Sequence, residues 1–162
     1  VKQTIDAAEL RRILRYEPAT GEFRWLAPGN RRIIVGSLAG VRSHGYVRIK
    51  IDGRGYMAHR LAWLYMTGSW PEADVDHIDL ERSNNAWANL RGATRRQNLA
   101  NTKPRRCGLK GASFDRERGK YVSHIRVAGK QRFLGRFDSE ADAHAAYMAA
   151  ANQAYGEFAR AA

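Results

Sequence analysis

The chain has 162 residues, with 28 Lys and Arg against 16 Asp and Glu, a net charge of +12 and one cysteine. That length holds one ordinary domain or two small ones, and the charge points to a polyanion rather than a neutral partner. No apolar run approaches membrane-spanning length and no signal peptide precedes the first helix. A membrane partner is therefore not expected, and the single cysteine leaves no disulfide framework, which fits a reducing compartment.

In chain order, residues 1–15 predict a short helix. Ile5, Leu10, Ile13 and Leu14 form one apolar stripe, with Arg11, Arg12 and Arg15 beside it. Thr20-Gly21 marks a turn, Glu22 to Trp25 a short strand, and residues 27–32 a polar loop ending in Arg31-Arg32. Gly45 to His59 predicts a hairpin turning at Asp52-Gly53. In its first strand Val47, Ile49 and Ile51 share a core face. Tyr46, Arg48 and Lys50 share the other, which makes Arg48 and Lys50 candidate DNA contacts. His59 opens an apolar helix that ends at Gly68, and reads as structural.

The most informative stretch follows. Val75-Asp76-His77-Ile78-Asp79 predicts a strand, Asp79 to Asn85 a polar turn, and Ala88-Asn89-Leu90-Arg91 a second short strand. Thr94 and Gln97 form a capping box that starts a helix near residue 94 and places Asn98 in its first turns. Asp76 and Asn98 offer hard oxygens suited to one divalent cation, Mg²⁺ or Mn²⁺, which keeps waters and takes phosphate oxygens as further ligands. The neutral imidazole of His77 would take a proton from water as general base. Asn89 would lock the intervening loop and aim His77.

On those residues, the segment from about His59 to Asn101, with its motif at 75–101, resembles the HNH endonucleases. These are nucleases with a ββα-metal active site, and the match is to the variant with asparagine as last motif residue. The resemblance implies Asp76 and Asn98 as metal ligands, His77 as general base and Asn89 as the loop-orienting residue. Leu80 departs from the pattern, standing where a small or polar turn residue is commoner. No cysteine pairs flank the site, so the zinc-stapled version of the family is excluded.

Residues 103–109 have the composition of a basic linker and set the expected boundary between a 1–102 nuclease region and a 110–158 unit. In the latter, Phe114, Lys120 to Val127 and Gln131 to Phe137 predict three strands. Ser139 caps an Ala-rich helix running to Tyr155 and stopped by Gly156. Ala143, Ala146, Ala150 and Ala154 would form its sheet-facing stripe. Period two puts Lys120, Val122, His124 and Arg126 on the open sheet face.

Through Lys110-Gly111, Gly119-Lys120-Tyr121, Ile125-Arg126, Leu134 to Asp138 and Ala145-Ala146-Tyr147, this unit resembles the plant Apetala-type (ethylene-response-factor) DNA-binding domain. The resemblance implies that the sheet faces DNA, lined by Lys110, Ser113, Arg116, Arg118, Lys120, His124, Arg126, Gln131 and Phe133. Arg118 and Phe133 stand where that family usually has tryptophan, so its target sequence does not carry over.

The expected class is α+β: a ββα-metal nuclease domain preceded by a β-hairpin region, plus a three-stranded antiparallel sheet with one packed helix. The expected activity is metal-dependent nicking of double-stranded DNA by a homing-type nuclease. The two-module combination resembles phage and prophage nucleases and implies the cytoplasm of a bacterial host. The rival readings are a non-catalytic DNA-binding regulator, an RNA-binding or RNA-processing protein, and a packaging-associated HNH nuclease with an unknown protein partner.

Overall fold

The structure is a computed structural model that describes residues 5–27, 33–101 and 108–159. It is α+β, with small antiparallel sheets and helices in two compact units, Val1–Thr94 and Arg95–Ala162. The expected Arg31-Arg32 loop end and most of the basic linker lie outside the described residues.

In the first unit, helix α1 (Ala7–Ile13) starts at Asp6, whose carboxylate accepts the Glu9 N–H at 2.8 Å. It is shorter than the sequence predicts. From Leu14 the chain turns extended as strand β1 (Leu14–Glu17), pairing antiparallel with β2 (Glu22–Trp25). Alternation explains the break: Leu14 and Tyr16 are buried while Arg15 and Glu17 are exposed, which only a strand delivers.

The predicted hairpin is present as β4 (Tyr46–Ile51) and β5 (Arg54–Met57), with a strand β3 (Val41–Ser43) added on its edge. Ile49 and Ile51 are buried and Arg48 and Lys50 exposed, as the alternation requires. Helix α2 (Ala58–Thr67) follows directly and ends at Gly68. Then come β6 (Asp74–His77) and β7 (Leu90–Ala93), an antiparallel pair. Leu10, Leu14, Phe23, Ile49, Leu61 and Leu64 are fully buried, and Val75 and Leu90 join the same core. One face of the β6–β7 hairpin is therefore set against the hydrophobic core, which fixes its register.

The second unit opens with α3 (Arg95–Ala100) and continues as β8 (Ala112–Asp115), β9 (Lys120–Val127), β10 (Lys130–Phe137) and α4 (Glu140–Tyr155). Its strand order is β10-β9-β8, and α4 packs on one sheet face. The division between units falls at residue 94 rather than in 103–109, because α3 packs against α4 and the 3-10 turn Gly156–Phe158.

The sheet-facing stripe of α4 is Ala143, Tyr147 and Ala151, not the predicted run of four alanines; Ala154 is exposed. Tyr147 is the reason. Its ring lies so close to Gly111 that a Cβ there would stand 2.1 Å from the ring carbon. Small residues one turn to each side let the helix settle around that one large contact.

Candidate functional site

The site is built on β6, where Asp76 pairs across the hairpin with Arg91 and His77 with Leu90. Neighbours on a strand point to opposite faces, so Asp76 shares its face with Arg91 and His77 shares the core-side face with Leu90. Asp76 and His77 are both buried, each 5% exposed. Arg91 Nε donates to Asp76 Oδ2 at 3.1 Å, a charge-assisted bond that aims the carboxylate. The strand ends at His77, whose carbonyl accepts the Leu80 N–H at 3.1 Å and starts a turn.

That turn opens a loop held by its own side chains. Asn89 Oδ1 accepts the Asp79 N–H at 3.0 Å, while Asn89 Nδ2 donates to Asp79 Oδ1 and to the Asn84 carbonyl, both at 2.9 Å. Asn84 Nδ2 donates to Asp79 Oδ2 at 2.7 Å. Burial would raise the Asp79 pKa, but the Asn84 and Asn89 amides and the Glu81 N–H outweigh it and hold the carboxyl below its usual range. Leu80 sits at φ 66°, in the left-handed region. This accounts for the small or polar residue that the motif favours there.

The loop is also tied to the β1–β2 hairpin. Tyr16 Oη donates to the Asn85 carbonyl at 2.7 Å, and the Trp87 N–H donates to the Pro18 carbonyl at 2.8 Å. Gly21 makes room for this contact: a Cβ there would meet the Asn85 carbonyl carbon at 2.2 Å.

Asn85, 2% exposed, reaches His77, with its Oδ1 3.3 Å from His77 Nε2. Its Nδ2 donates to the Ser83 carbonyl at 3.0 Å, which turns the amide oxygen toward the ring. An amide oxygen only accepts, so His77 carries its hydrogen on Nε2 and the lone pair on Nδ1. His59, buried on α2, lies edge-on to His77 with ring centroids 5.0 Å apart, and Tyr46 lies 5.5 Å from His59 and 6.1 Å from His77. Burial lowers the His77 pKa against the opposing pull of Asn85, Asp79 and Asp76. Burial, followed by the charges of His77 and Arg60, pushes His59 down to about 4. Both rings are therefore neutral at neutral pH, and His77 is in the form that takes a proton.

Of the predicted site residues, Asp76, His77 and Asn89 lie in this one hairpin and loop. Asn98 stands half-buried on α3, in the second unit. Among the described residues no group of three or more His, Cys, Asp and Glu could hold a metal. A hard divalent ion on Asp76 could take carboxamide oxygen, water and phosphate as further ligands. The carboxylate chemistry fits a hard divalent ion.

In the second unit, strand register puts Ser113, Lys120, His124, Arg126, Gln131 and Phe133 on the open sheet face. Arg116 and Arg118 are exposed in the β8–β9 turn, and the Lys110 carbonyl ahead of β8 accepts a bond from His144 Nδ1 at 2.7 Å. Arg118 and Lys120 are partly engaged by Asp115 and Asp138.

Strict alternation along β10 would send Arg136 to the helix side. The register shifts between Phe133 and Gly135, so Arg136 pairs with Val122 on the open face and lies over the Phe133 ring, 5.2 Å from its centroid. Leu134-Gly135 was the only sequence signal for that bulge. Asn85 was missed as well, because an asparagine in a polar loop reads as a turn residue.

A buried carboxylate and a neutral imidazole thus stand adjacent at the end of β6, next to an asparagine-locked loop. Residues 56–100 match the family model for HNH endonuclease, a span running from β5 through α2, β6 and β7 to α3. That segment, less than a third of the chain, is thus similar to the HNH endonucleases, a family of nucleases that generally use a divalent metal ion. No curated protein and no solved structure matches the chain.

Proposed function

We propose that this chain is a metal-dependent HNH endonuclease that nicks duplex DNA, with asparagine as the last residue of its motif. In this reading its C-terminal sheet reads sequence in the manner of the Apetala-type domain. The observation that carries the proposal is the Asp76–His77 pair at the end of β6, pinned by the Asn89 loop within the span that matches the family.

Asp76 and, by its place in the sequence pattern, Asn98 would hold one Mg²⁺ or Mn²⁺. When bound, that ion supplies Lewis-acid polarisation of the phosphate and charge stabilisation at the leaving oxygen. Arg91 keeps the Asp76 carboxylate oriented. His77 takes the proton of the attacking water on Nδ1, while Asn85 holds Nε2–H. The water oxygen forms the new P–O bond, one ester P–O bond breaks, and the departing oxygen takes a proton from solvent. Arg48 and Lys50 on β4 and the residues of the open C-terminal face supply phosphate and base contacts. A homing-type role in a bacterial host, encoded by a phage or prophage, rests on the resemblance of the module combination alone.

The test is nicking of supercoiled plasmid. Mg²⁺ or Mn²⁺ should support cutting and EDTA should stop it. His77→Ala should lower the rate by about 1,000-fold or more, as losing a general base and its positioned water does, while duplex affinity stays nearly constant. Metal-independent cutting, or full activity in His77→Ala, overturns the reading. A protein that binds the plasmid and never cuts it is the regulator instead.

A further inference from the structure

Arg82 is an exposed arginine in the middle of the site loop. The two carboxylates nearest in sequence are already occupied. Asp79 takes donors from Asn84, Asn89 and the Glu81 N–H. Glu81 accepts from the Ser83 hydroxyl at 2.6 Å and the Ser83 N–H at 3.1 Å. Among the described residues no carboxylate pairs with Arg82.

Its guanidinium lies instead over the Tyr46 ring, 5.0 Å from the centroid, with its stem against Gly45. Tyr46 is also the ring that lies 6.1 Å from His77. A planar fork of donors is thus parked, on an exposed loop, against the aromatic ring that neighbours His77. Stacking holds one face of the guanidinium and leaves its edge, where the N–H groups are, available to an anion.

We infer that Arg82 binds the non-bridging oxygens of the phosphate being cut and stabilises the charge that builds on them as water attacks. This rests on the nuclease reading above. A guanidinium aimed at developing phosphoryl charge acts more in the transition state than in the bound ground state, so its loss falls on rate rather than affinity.

The experiment is single-turnover nicking of supercoiled plasmid with Mg²⁺, with duplex affinity measured separately in EDTA. Arg82→Ala should cut about 100-fold more slowly, with affinity within about threefold of the parent, since one of many phosphate contacts is lost. Arg82→Lys should recover part of the rate, because charge remains and the fork does not. Free guanidinium at non-denaturing concentration should accelerate Arg82→Ala and leave the parent unchanged, a rescue that a merely structural arginine would not show.

An Arg82→Ala rate equal to the parent overturns the inference. So does a rate loss fully explained by weaker binding, or one that guanidinium does not restore. If the parent itself leaves the plasmid intact, the nuclease reading fails first and this inference with it. If the parent cuts and Arg82→Ala cuts equally well, only the inference fails.

Discussion

Asn89 grips Asp79 at two points, accepting its backbone N–H at 3.0 Å and donating to its carboxylate at 2.9 Å. One side chain therefore fixes both the path of the chain leaving His77 and the orientation of an acid beside it. Asn89→Ala should lose both bonds, costing about 1–2 kcal/mol at this exposed loop, and should cut at least about tenfold more slowly because His77 loses its aim. Asn89→Asp should be worse, since an acceptor replaces the donor opposite the Asp79 carboxylate. Thermal melts and nicking rates check both; an Asn89→Asp protein as active as the parent would show that the clamp is dispensable.

His59 gives the first unit an acid sensitivity with a definite sign. Its folded pKa is about 4, against an ordinary 6.5, because burial disfavours the charged ring. The unfolded chain therefore binds a proton below pH 6.5 that the folded chain refuses until about pH 4. Stability from this group is complete above pH 6.5 and drains away as pH falls to about 4, by about 3 kcal/mol in all. His77, whose pKa is also lowered by burial, adds in the same direction. His59→Phe, which keeps a ring against His77 and cannot titrate, should flatten the drop in melting temperature between pH 7.5 and 5. An unchanged drop would place the acid sensitivity elsewhere.

On the proposed role of His77 as general base, this residue also sets the pH profile of cutting. With its pKa held below the ordinary histidine value, the rate should rise with pH to a plateau already reached at neutrality. A rate still climbing steeply above neutral pH would point to a different base.

Leu80 occupies a left-handed backbone position at φ 66° and carries the strain of its Cβ there. Leu80→Gly should raise the urea midpoint by the equivalent of about 1 kcal/mol, whereas Leu80→Ala should not, because alanine keeps the Cβ. A destabilised glycine variant would mean that the half-buried leucine side chain outweighs its strain.

On the C-terminal sheet, the bulge in β10 makes Arg136 a face residue and leaves Arg132, opposite Ile125, on the helix side. Arg136→Ala should weaken duplex binding and reduce the salt slope by about 1. Arg132→Ala should leave both nearly unchanged. Gel-shift titrations across a salt series separate the two. Equal effects would show that charge, rather than strand register, controls contact.

The sequence alone was enough to establish the β6–turn–β7 order, the Asp76–His77 adjacency, the α4 caps at Ser139 and Gly156, and the Asp52-Gly53 hairpin. Each depends on residues close together in the chain, where period, turn chemistry and capping act locally. What lay beyond it came from contacts between distant residues. Strand β1 replaced the end of the first helix because Leu14 and Tyr16 found a partner strand and a core. Tyr147 settled the packing of α4 through Gly111. Asn85 and His59 were recruited to His77 because the loop folds back on Tyr16 and Gly21 while α2 carries His59 to the same ring. The bulge at Phe133–Gly135 turned Arg136 outward. Spacing along a chain specifies which groups are available; only packing specifies which of them share a face, because one extra residue in a strand or one large side chain in a groove reverses the direction in which its neighbours point.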